Sequence, residues 1–483
     1  MNSNNSKDKG ITVKKEENIS EWYEQVCLKS GLVEFATVKG CMVIKPLGYS
    51  IWEKIQEYFN EKINKPLGVK NAYFPIFIPE SFFKKEAEHA KGFSPEVAWI
   101  DKELTKDGER LAIRPTSETI MYDSYSRWIR SYRDLPLKIN QWCNIVRWET
   151  NTTKLFLRSR EFLWQEGHCV YETEKECEKD TLEVIKKYKK LCEELLAMPV
   201  LIGKKTEKEK FAGALNTYTI EAFMSDGKAL QCGTSHNLGQ GFAKAFGISF
   251  LGKDEKKHLP WQNSWGISTR LIGGMVMTHS DDKGLILPPK IAENKVVIIP
   301  ILFDKTKEKI LKLSREIKKS LEKLNPILDD SEEFTPGYKF SEYELKGIPL
   351  RIEIGPKDLE KNQVIVVKRN NFEKTAIKIK DLKKEIPKIL EKMQSEIFEK
   401  AQKNLYESIV EVKNLNEFEK AIKNKKIIFI NWCNTTECEE KIKEKTNATG
   451  RCIPLGYENQ KISGNCPICG KPVKVRIYFA KSY

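Results

Sequence analysis

The sequence predicts a mixed α and β protein built in three parts: a long aromatic-rich part, a smaller part of alternating strands and helices, and a cysteine-bearing tail. Between Trp22 and about Pro289 the chain is rich in Trp, Phe, Tyr and Arg, and beyond Pro288 and Pro289 it turns to Lys, Ile and Glu. Such a shift at a proline pair marks a boundary. Strand-like and helical runs then alternate, the pattern of an α/β unit. The last stretch carries two close cysteine pairs. A chain of 483 residues also exceeds what one hydrophobic core fills, so about two to four domains are expected.

Taken in order, Met1 to Gly10 is polar and Asn/Ser-rich, with Glu16 and Glu17 close behind. A presequence needs an apolar or basic amphipathic stretch, so residues 1–15 read as a disordered lead and the protein as cytoplasmic. Tyr49 to Ile63 has apolar residues at helical spacing, and Ala72 to Ile78 reads as a strand holding Pro75. A proline there points to an edge or an interface. Lys295 to Leu302 reads as a buried strand, Lys305 to Leu324 as an amphipathic helix, and Leu350 to Gly355 and Gln363 to Lys368 as further strands. Asp381 to Ile409 reads as a long helix with Pro387 near its first turn. No apolar run is long enough to cross a bilayer, and no membrane partner is expected.

With 40% hydrophobic and 31% charged residues the composition is that of a soluble globular protein. The formal net charge of +15 favours a polyanion such as RNA, although Lys-rich solvated helix faces would give the same number. Charge alone leaves both readings open.

Five strings carry the chemistry: Arg114-Pro-Thr-Ser-Glu118, Arg147-Trp-Glu149, Arg158-Ser-Arg-Glu-Phe-Leu-Trp-Gln165, Gln231-Cys-Gly-Thr-Ser-His236 and Ser264-Trp-Gly-Ile-Ser-Thr-Arg270. An Arg-x-Glu alone is common by chance. In this order, the strings resemble prolyl-tRNA synthetases of the archaeal and eukaryotic type, and the resemblance covers nearly all of the chain after residue 15. It implies an α+β class II catalytic domain over 16–289, an antiparallel sheet with helices. An α/β anticodon-binding domain over 290–404 and a small zinc-binding α/β tail domain over 405–483 would follow. The segment ending at Pro75 looks like motif 1, which lies at a dimer interface in that family, so a homodimer is implied. Arg147 with Glu149 looks like motif 2 and Arg270 like the arginine of motif 3.

The implied substrates are L-proline, ATP with Mg2+, and the proline tRNA. Proline's own carboxylate attacks the α-phosphorus, so the protein's task is to handle charge, which suits arginines that never deprotonate. By resemblance Arg147 contacts the proline carboxylate and the α-phosphate, and Arg270 stacks on adenine and reaches the terminal phosphate. Arg158 is a further nucleotide contact, Glu149 lies near the adenine amino group, and Gln231 and Thr234 hold phosphates and magnesium. Ser268 stands where the family usually has Thr. Proline's secondary ammonium needs acceptors and its ring needs apolar walls. Thr116 and Glu118 fit the first need, and Phe162, Trp164, Phe211 and His236 fall at the positions enclosing the ring. Without the resemblance, Phe162 and Trp164 alternate as plain core residues would, His236 is more often structural than functional, and His168 is read as structural.

Cys232 departs from the family, which commonly has Gly there, and its side chain would narrow the floor or shift the backbone facing ATP. The gap between Arg147 and Arg270 leaves no room for the editing domain that bacterial-type enzymes insert, so mischarged alanine should not be cleared. In the tail, Cys433-x4-Cys438 and Cys466-x2-Cys469 offer four thiolates for a closed tetrahedral zinc site. Cys452 is a possible substitute ligand, and four free thiols are the alternative. With no histidine nearby, the Zn2+ would be structural, holding a tail with little apolar core of its own. Glu353, Lys368 and Arg369 lie on strands that could read anticodon bases. A threonine-specific relative would need metal ligands in its active site, and a non-catalytic paralogue would have lost Arg147, Glu118 or Arg270. A zinc-dependent nucleic-acid binder leaves the Arg/Glu strings unexplained.

Overall fold

The computed structural model describes residues 10–87, 96–150, 152–457 and 462–483. Its centre is an eleven-stranded sheet. From one edge the strands run Lys70–Asn71, Leu137–Val146, Glu161–Tyr171, Trp261–Ser268, Lys228–Gly239, Asn216–Phe223 and Leu201–Lys204. All of these pair antiparallel except the edge strand Lys70–Asn71, which runs parallel to its neighbour.

Helix Glu174–Lys190 covers one face, started by a capping box in which Thr173 and Glu176 satisfy each other's backbone N–H groups. It buries Cys177, Thr181, Val184, Ile185 and Tyr188, the stripe that a 3.6-residue repeat lays on one side. Helices Pro46–Phe59 and Arg270–His279 bury their own stripes into the same core. Helix Glu118–Trp128 packs Met121, Tyr122 and Tyr125 into a second core with Phe74 and Phe242.

The middle part has a separate five-stranded sheet. Its strands Val296–Pro300 and Leu350–Ile354 are buried throughout and run parallel; the first is a continuous apolar run, as suits a strand covered on both faces, whereas the second buries Arg351 and Glu353, which pair with each other. Helix Lys307–Ser320 buries Ile310, Ser314 and Ile317 against the sheet. The long helix Leu382–Glu407 contains Pro387 in its second turn, where the missing N–H forgoes the bond to the carbonyl of Lys383.

Tail strands Ile409–Val410, Ile427–Trp432, Val475–Ser482 and Thr449–Pro454 extend the central sheet. The joint is antiparallel pairing of Ile453 and Pro454 with Lys204 and Gly203, plus parallel pairing of Lys481 and Ser482 with Lys228 and Ala229. Contrary to expectation, the tail has an apolar core of its own, with Phe418, Ile428, Trp432, Ile442, Ile477 and Phe479 at its centre.

Two other expectations are corrected. The strand foreseen over 72–78 is broken: Lys70–Asn71 belongs to the central sheet and Phe77–Pro79 to a small three-stranded one, with Pro75 in the gap. A residue without an N–H cannot continue a ladder. The disordered lead falls outside the described residues over 1–9, but its last residues are anchored. Ile11 packs on the main core, and Lys15 Nζ donates to Met277 O at 2.9 Å and Ser280 O at 3.2 Å.

Candidate active site

One face of the central sheet opens into a cavity of about 480 Å³, lined by Thr116, Glu118, Arg147, Glu149, Phe162, Trp164, Phe211, Gln231, Thr234, His236, Ser268 and Arg270. Arg158 lies apart from this group. It lines an adjoining cavity of about 250 Å³ that shares Arg147, Glu149, Phe162, Ser268 and Arg270 and is also bordered by Tyr483.

At the apolar end, Thr116 and Glu118 precede and open helix Glu118–Trp128 and are hydrogen-bonded to each other through the Thr116 hydroxyl and the Glu118 carboxylate. Glu118 is 5% exposed. Strand alternation sends Phe162 and Trp164 to the same side, with ring centroids 6.2 Å apart, and the Arg147 guanidinium stands 5.9 Å from each ring. Phe211 faces His236 with centroids 4.8 Å apart. Thr217 holds both: its Oγ1 accepts the Phe211 N–H at 3.0 Å and lies 3.0 Å from His236 Nδ1. Burial lowers the His236 pKa to about 3, so the ring is neutral at physiological pH.

Glu166 and His168 were not among the expected binding residues, yet both line the cavity beneath Glu118. His168 Nε2 is 3.1 Å from Glu166 Oε2, and Gln141 Nε2 donates to Glu166 Oε1 at 3.1 Å. Ser117, at the N-cap position of the helix bearing Glu118 but with no capping hydrogen bond, gives Glu166 both its hydroxyl and its N–H. Burial opposes charge on both side chains, but their mutual hydrogen bond and attraction win, holding the Glu166 carboxyl below its usual range and the His168 imidazole above. The support role read for His168 therefore stands beside a place in the cavity wall. Glu118, Glu166 and His168 could between them offer ligands to a metal, but their hydrogen bonds to Thr116, Ser117, Gln141 and Tyr122 already occupy them.

At the polar end a β-bulge does the positioning. Gly233 pairs with Ile220 and Gln231 with Glu221, leaving Cys232 as the extra residue. Plain alternation would send residues 231 and 234 to opposite faces, whereas one inserted residue brings both to the cavity side. Cys232 itself borders the cavity. Its side chain, 2% exposed, joins the main core and its thiol donates to Leu230 O at 3.4 Å. Gly233 admits no side chain, since a Cβ there would meet Ile267 Cγ2 at 2.8 Å.

Arg270 opens helix Arg270–His279, and its guanidinium is fixed by Leu157 O at 3.1 Å and Gln231 O at 3.2 Å. Burial and the charge of Arg147 both depress the Arg270 pKa, and burial depresses that of Arg147. An arginine stays charged under such pressure, so two cations face one cavity and an anionic ligand relieves both. Arg114, from the first string, is instead a strut: 1% exposed, it donates to Asn144 O and Phe74 O, each at 2.8 Å.

In the tail, Cys433, Cys438, Cys466 and Cys469 present four sulfurs all within 4.8 Å of one another. The Cys438 and Cys466 sulfurs are 3.9 Å apart, and those of Cys433 and Cys469 3.5 Å apart. Four thiolates around zinc at ~2.3 Å require similar separations, so this buried set fits a structural zinc ion. Cys452 is not part of it: buried on strand Thr449–Pro454, it neighbours Glu221 and Lys205. The proposed base-reading residues are also tied up. Arg351 and Lys374 hold Glu353 at 2.9 and 3.6 Å, Glu373 and Glu396 hold Lys368 at 2.6 and 3.0 Å, and Arg369 grips Asp281 of the first part at 2.6 and 2.8 Å.

Residues 99–279 match the tRNA synthetase class II core domain (G, H, P, S and T), residues 295–389 the anticodon binding domain, and residues 415–483 the prolyl-tRNA synthetase C-terminal domain. The chain is 48% identical over 471 residues to a proline–tRNA ligase of Alkaliphilus oremlandii, covering 97% of each. It is 48% identical over 474 residues to proline–tRNA ligase 2 of Clostridioides difficile, again covering 97% of each. Its fold matches a prolyl-tRNA synthetase of Cryptosporidium parvum solved with halofuginone and AMPPNP, with a TM-score of 0.94, 44% identity and coverage of 98% of this chain and 100% of that one. A structure from the same organism with L-proline and AMP gives a TM-score of 0.93 at 43% identity, covering 100% and 99%. The chain belongs to the prolyl-tRNA synthetases, class II ligases that join proline to tRNA.

Proposed function

We propose that the cavity binds L-proline and ATP side by side, forms prolyl-adenylate with release of pyrophosphate, and then yields the prolyl group to the 3′ end of the proline tRNA. The observation carrying this reading is that one cavity has acceptors and aromatic walls at one end and two fixed arginines at the other. Proline's two ammonium hydrogens meet Thr116 and Glu118, and its ring packs among Phe162, Trp164, Phe211 and neutral His236. The carboxylate is drawn to Arg147, which holds it against the α-phosphate. As it attacks, charge grows on the phosphate oxygens and the leaving pyrophosphate, and Arg147 and Arg270 stabilise it without reorganising.

Glu149 serves the adenine amino group, Arg158 reaches the nucleotide from the adjoining cavity, and Gln231, Thr234 and Ser268 line the phosphate path. The oxygen donors of Gln231 and Thr234 suit a hard cation, and a magnesium ion bound with ATP would add charge neutralisation to what the arginines supply. No side chain is needed as a general base for activation, because the nucleophile is already a carboxylate.

A homodimer is part of this proposal: Tyr73 and Phe77, flanking Pro75, are 70% and 45% exposed, apolar surface that a second copy would cover. Sedimentation at micromolar concentration tests the dimer. Charging of a proline tRNA transcript with labelled proline tests the reaction. Proline ester should accumulate only with ATP present, and failure to charge this tRNA while another is charged would overturn the proposal.

A further inference from the structure

Three charged side chains are buried where the tail joins the central sheet. Glu221 is 1% exposed, Lys205 3% and Arg451 5%. Lys205 Nζ donates to Glu221 Oε1 at 2.7 Å, and Arg451 donates from Nε and Nη2 to Glu221 Oε2 at 3.2 and 2.8 Å. Arg451 Nη1 completes the set on Thr449 Oγ1 at 2.9 Å. Burying such charges costs solvation that apolar residues of similar size would not, so stability alone is a poor reason for the arrangement. What distinguishes it is where each residue leads.

Glu221 is the register partner of Gln231 at the edge of the bulge, and Gln231 O is the carbonyl that fixes Arg270. Lys205 and Thr206 open the segment whose Glu209, Lys210 and Phe211 line the cavity, and Thr206 O accepts the N–H of Lys210 at 2.9 Å. From the tail side, Glu439 follows Cys438 on helix Thr436–Thr446, is 1% exposed, and accepts the Gly450 N–H at 3.0 Å. There is no slack at that point: a Cβ on Gly450 would stand 2.7 Å from Glu439 Oε1 and 3.0 Å from Thr206 Cγ2. Lys208 of the same cavity segment pairs with Glu440 at 3.3 Å.

We propose that the tail positions the active site through two contacts, Arg451 acting on the ATP end through Glu221 and Gln231, and Glu439 acting on the proline end through Gly450 and Thr206. None of Arg451, Glu221, Lys205 and Glu439 lines the cavity, so these are positioning residues and not catalytic ones. The inference rests on the proposed proline and ATP reading of that cavity.

The test uses the full-length chain and ATP–pyrophosphate exchange, with active sites counted by the burst of prolyl-adenylate so that loss of folded protein is removed. Displacement of a reacting group by about an ångström lowers rates as much as ~100-fold. On that scale R451M should raise KM for ATP by about fivefold or more with KM for proline changed less, and E439A, which removes the oxygen that accepts the Gly450 N–H, should do the reverse. R451K should recover most of the wild-type KM for ATP. If R451M does not fold, R451Q, which keeps an amide donor for Glu221 while Lys205 still balances the carboxylate, is read instead with the same expectation. KM values within about twofold of wild type for both substrates in both variants would overturn the proposal, whatever the melting temperatures do. Wild-type exchange that does not depend on proline would instead remove the reading on which the inference rests.

Discussion

Replacing Glu118 by Gln isolates the charge that receives proline's ammonium. The side chain is 5% exposed, its carboxylate accepts the Thr116 hydroxyl, and it begins helix Glu118–Trp128. Glutamine keeps the shape and the acceptor oxygen for Thr116, so the fold should hold. What it loses is one charge-assisted hydrogen bond to a cation in a poorly solvated corner, worth about 1.5–3 kcal/mol. At about 1.4 kcal/mol per tenfold this is a fall of roughly 10- to 100-fold in kcat/KM for proline. KM for ATP should move little, because Arg270 and Gln231 are held from the far end of the cavity by Leu157 and the bulge. Initial rates of ATP–pyrophosphate exchange, with each substrate varied at saturating levels of the other, separate the two effects. A proline kcat/KM within about twofold of wild type, or an equal rise in KM for ATP, would refute this assignment of Glu118.

Further outcomes follow from the same geometry. C466S should lower bound zinc from about one ion per chain to near none by elemental analysis and lower the melting temperature, since three thiolates do not close a structural site. Stability should fall on acidification from about pH 6.5 towards pH 4. His236 and His279 have folded pKa values near 3 and 4 against 6.5 for the free side chain, so in that window the unfolded chain binds protons that the folded chain does not. Each contributes at most about 1–2 kcal/mol by pH 5, offset in part by His168, whose raised pKa adds stability as pH falls through the same window, so the test is the comparison of denaturant melts at pH 7 and 5 between wild type and H279Q, with a shallower dependence expected for H279Q. Alanine should be activated and loaded on the proline tRNA at a detectable rate, because a pocket gains only ~1–3 kcal/mol per missing methylene. Between Arg147 and Arg270 the chain is spent on strands of the central sheet and helix Glu174–Lys190, so rapid deacylation of alanyl-tRNA by the purified protein would contradict the expectation.

Much of the site was legible because its residues stand in contiguous strings on single elements. Phe162 and Trp164 drew notice as aromatic residues, but the same alternation continues through Glu166 and His168 on strand Glu161–Tyr171. Extending the two-residue period by four positions would have placed both in the cavity wall. The bulge at Cys232 was not legible, since nothing in composition distinguishes an inserted residue from a paired one, and the sense of its side chain follows from that insertion. Glu353, Lys368 and Arg369 show the complementary failure. Charged residues on strands look available, and only tertiary pairing, such as Arg369 with Asp281, reveals that they are used internally. Likewise the cysteine pairs announced a metal site, but the pairing of Thr449–Pro454 with Leu201–Lys204, which makes the tail part of the central sheet, joins residues too distant in sequence for any local pattern to record.

The most direct measurement is ATP–pyrophosphate exchange with each of the twenty amino acids supplied singly. A cavity with Glu118 and Thr116 at one end and Arg147 and Arg270 at the other should support exchange best with proline, with alanine and cysteine far behind. Exchange driven best by any other amino acid, or by none, would contradict the account.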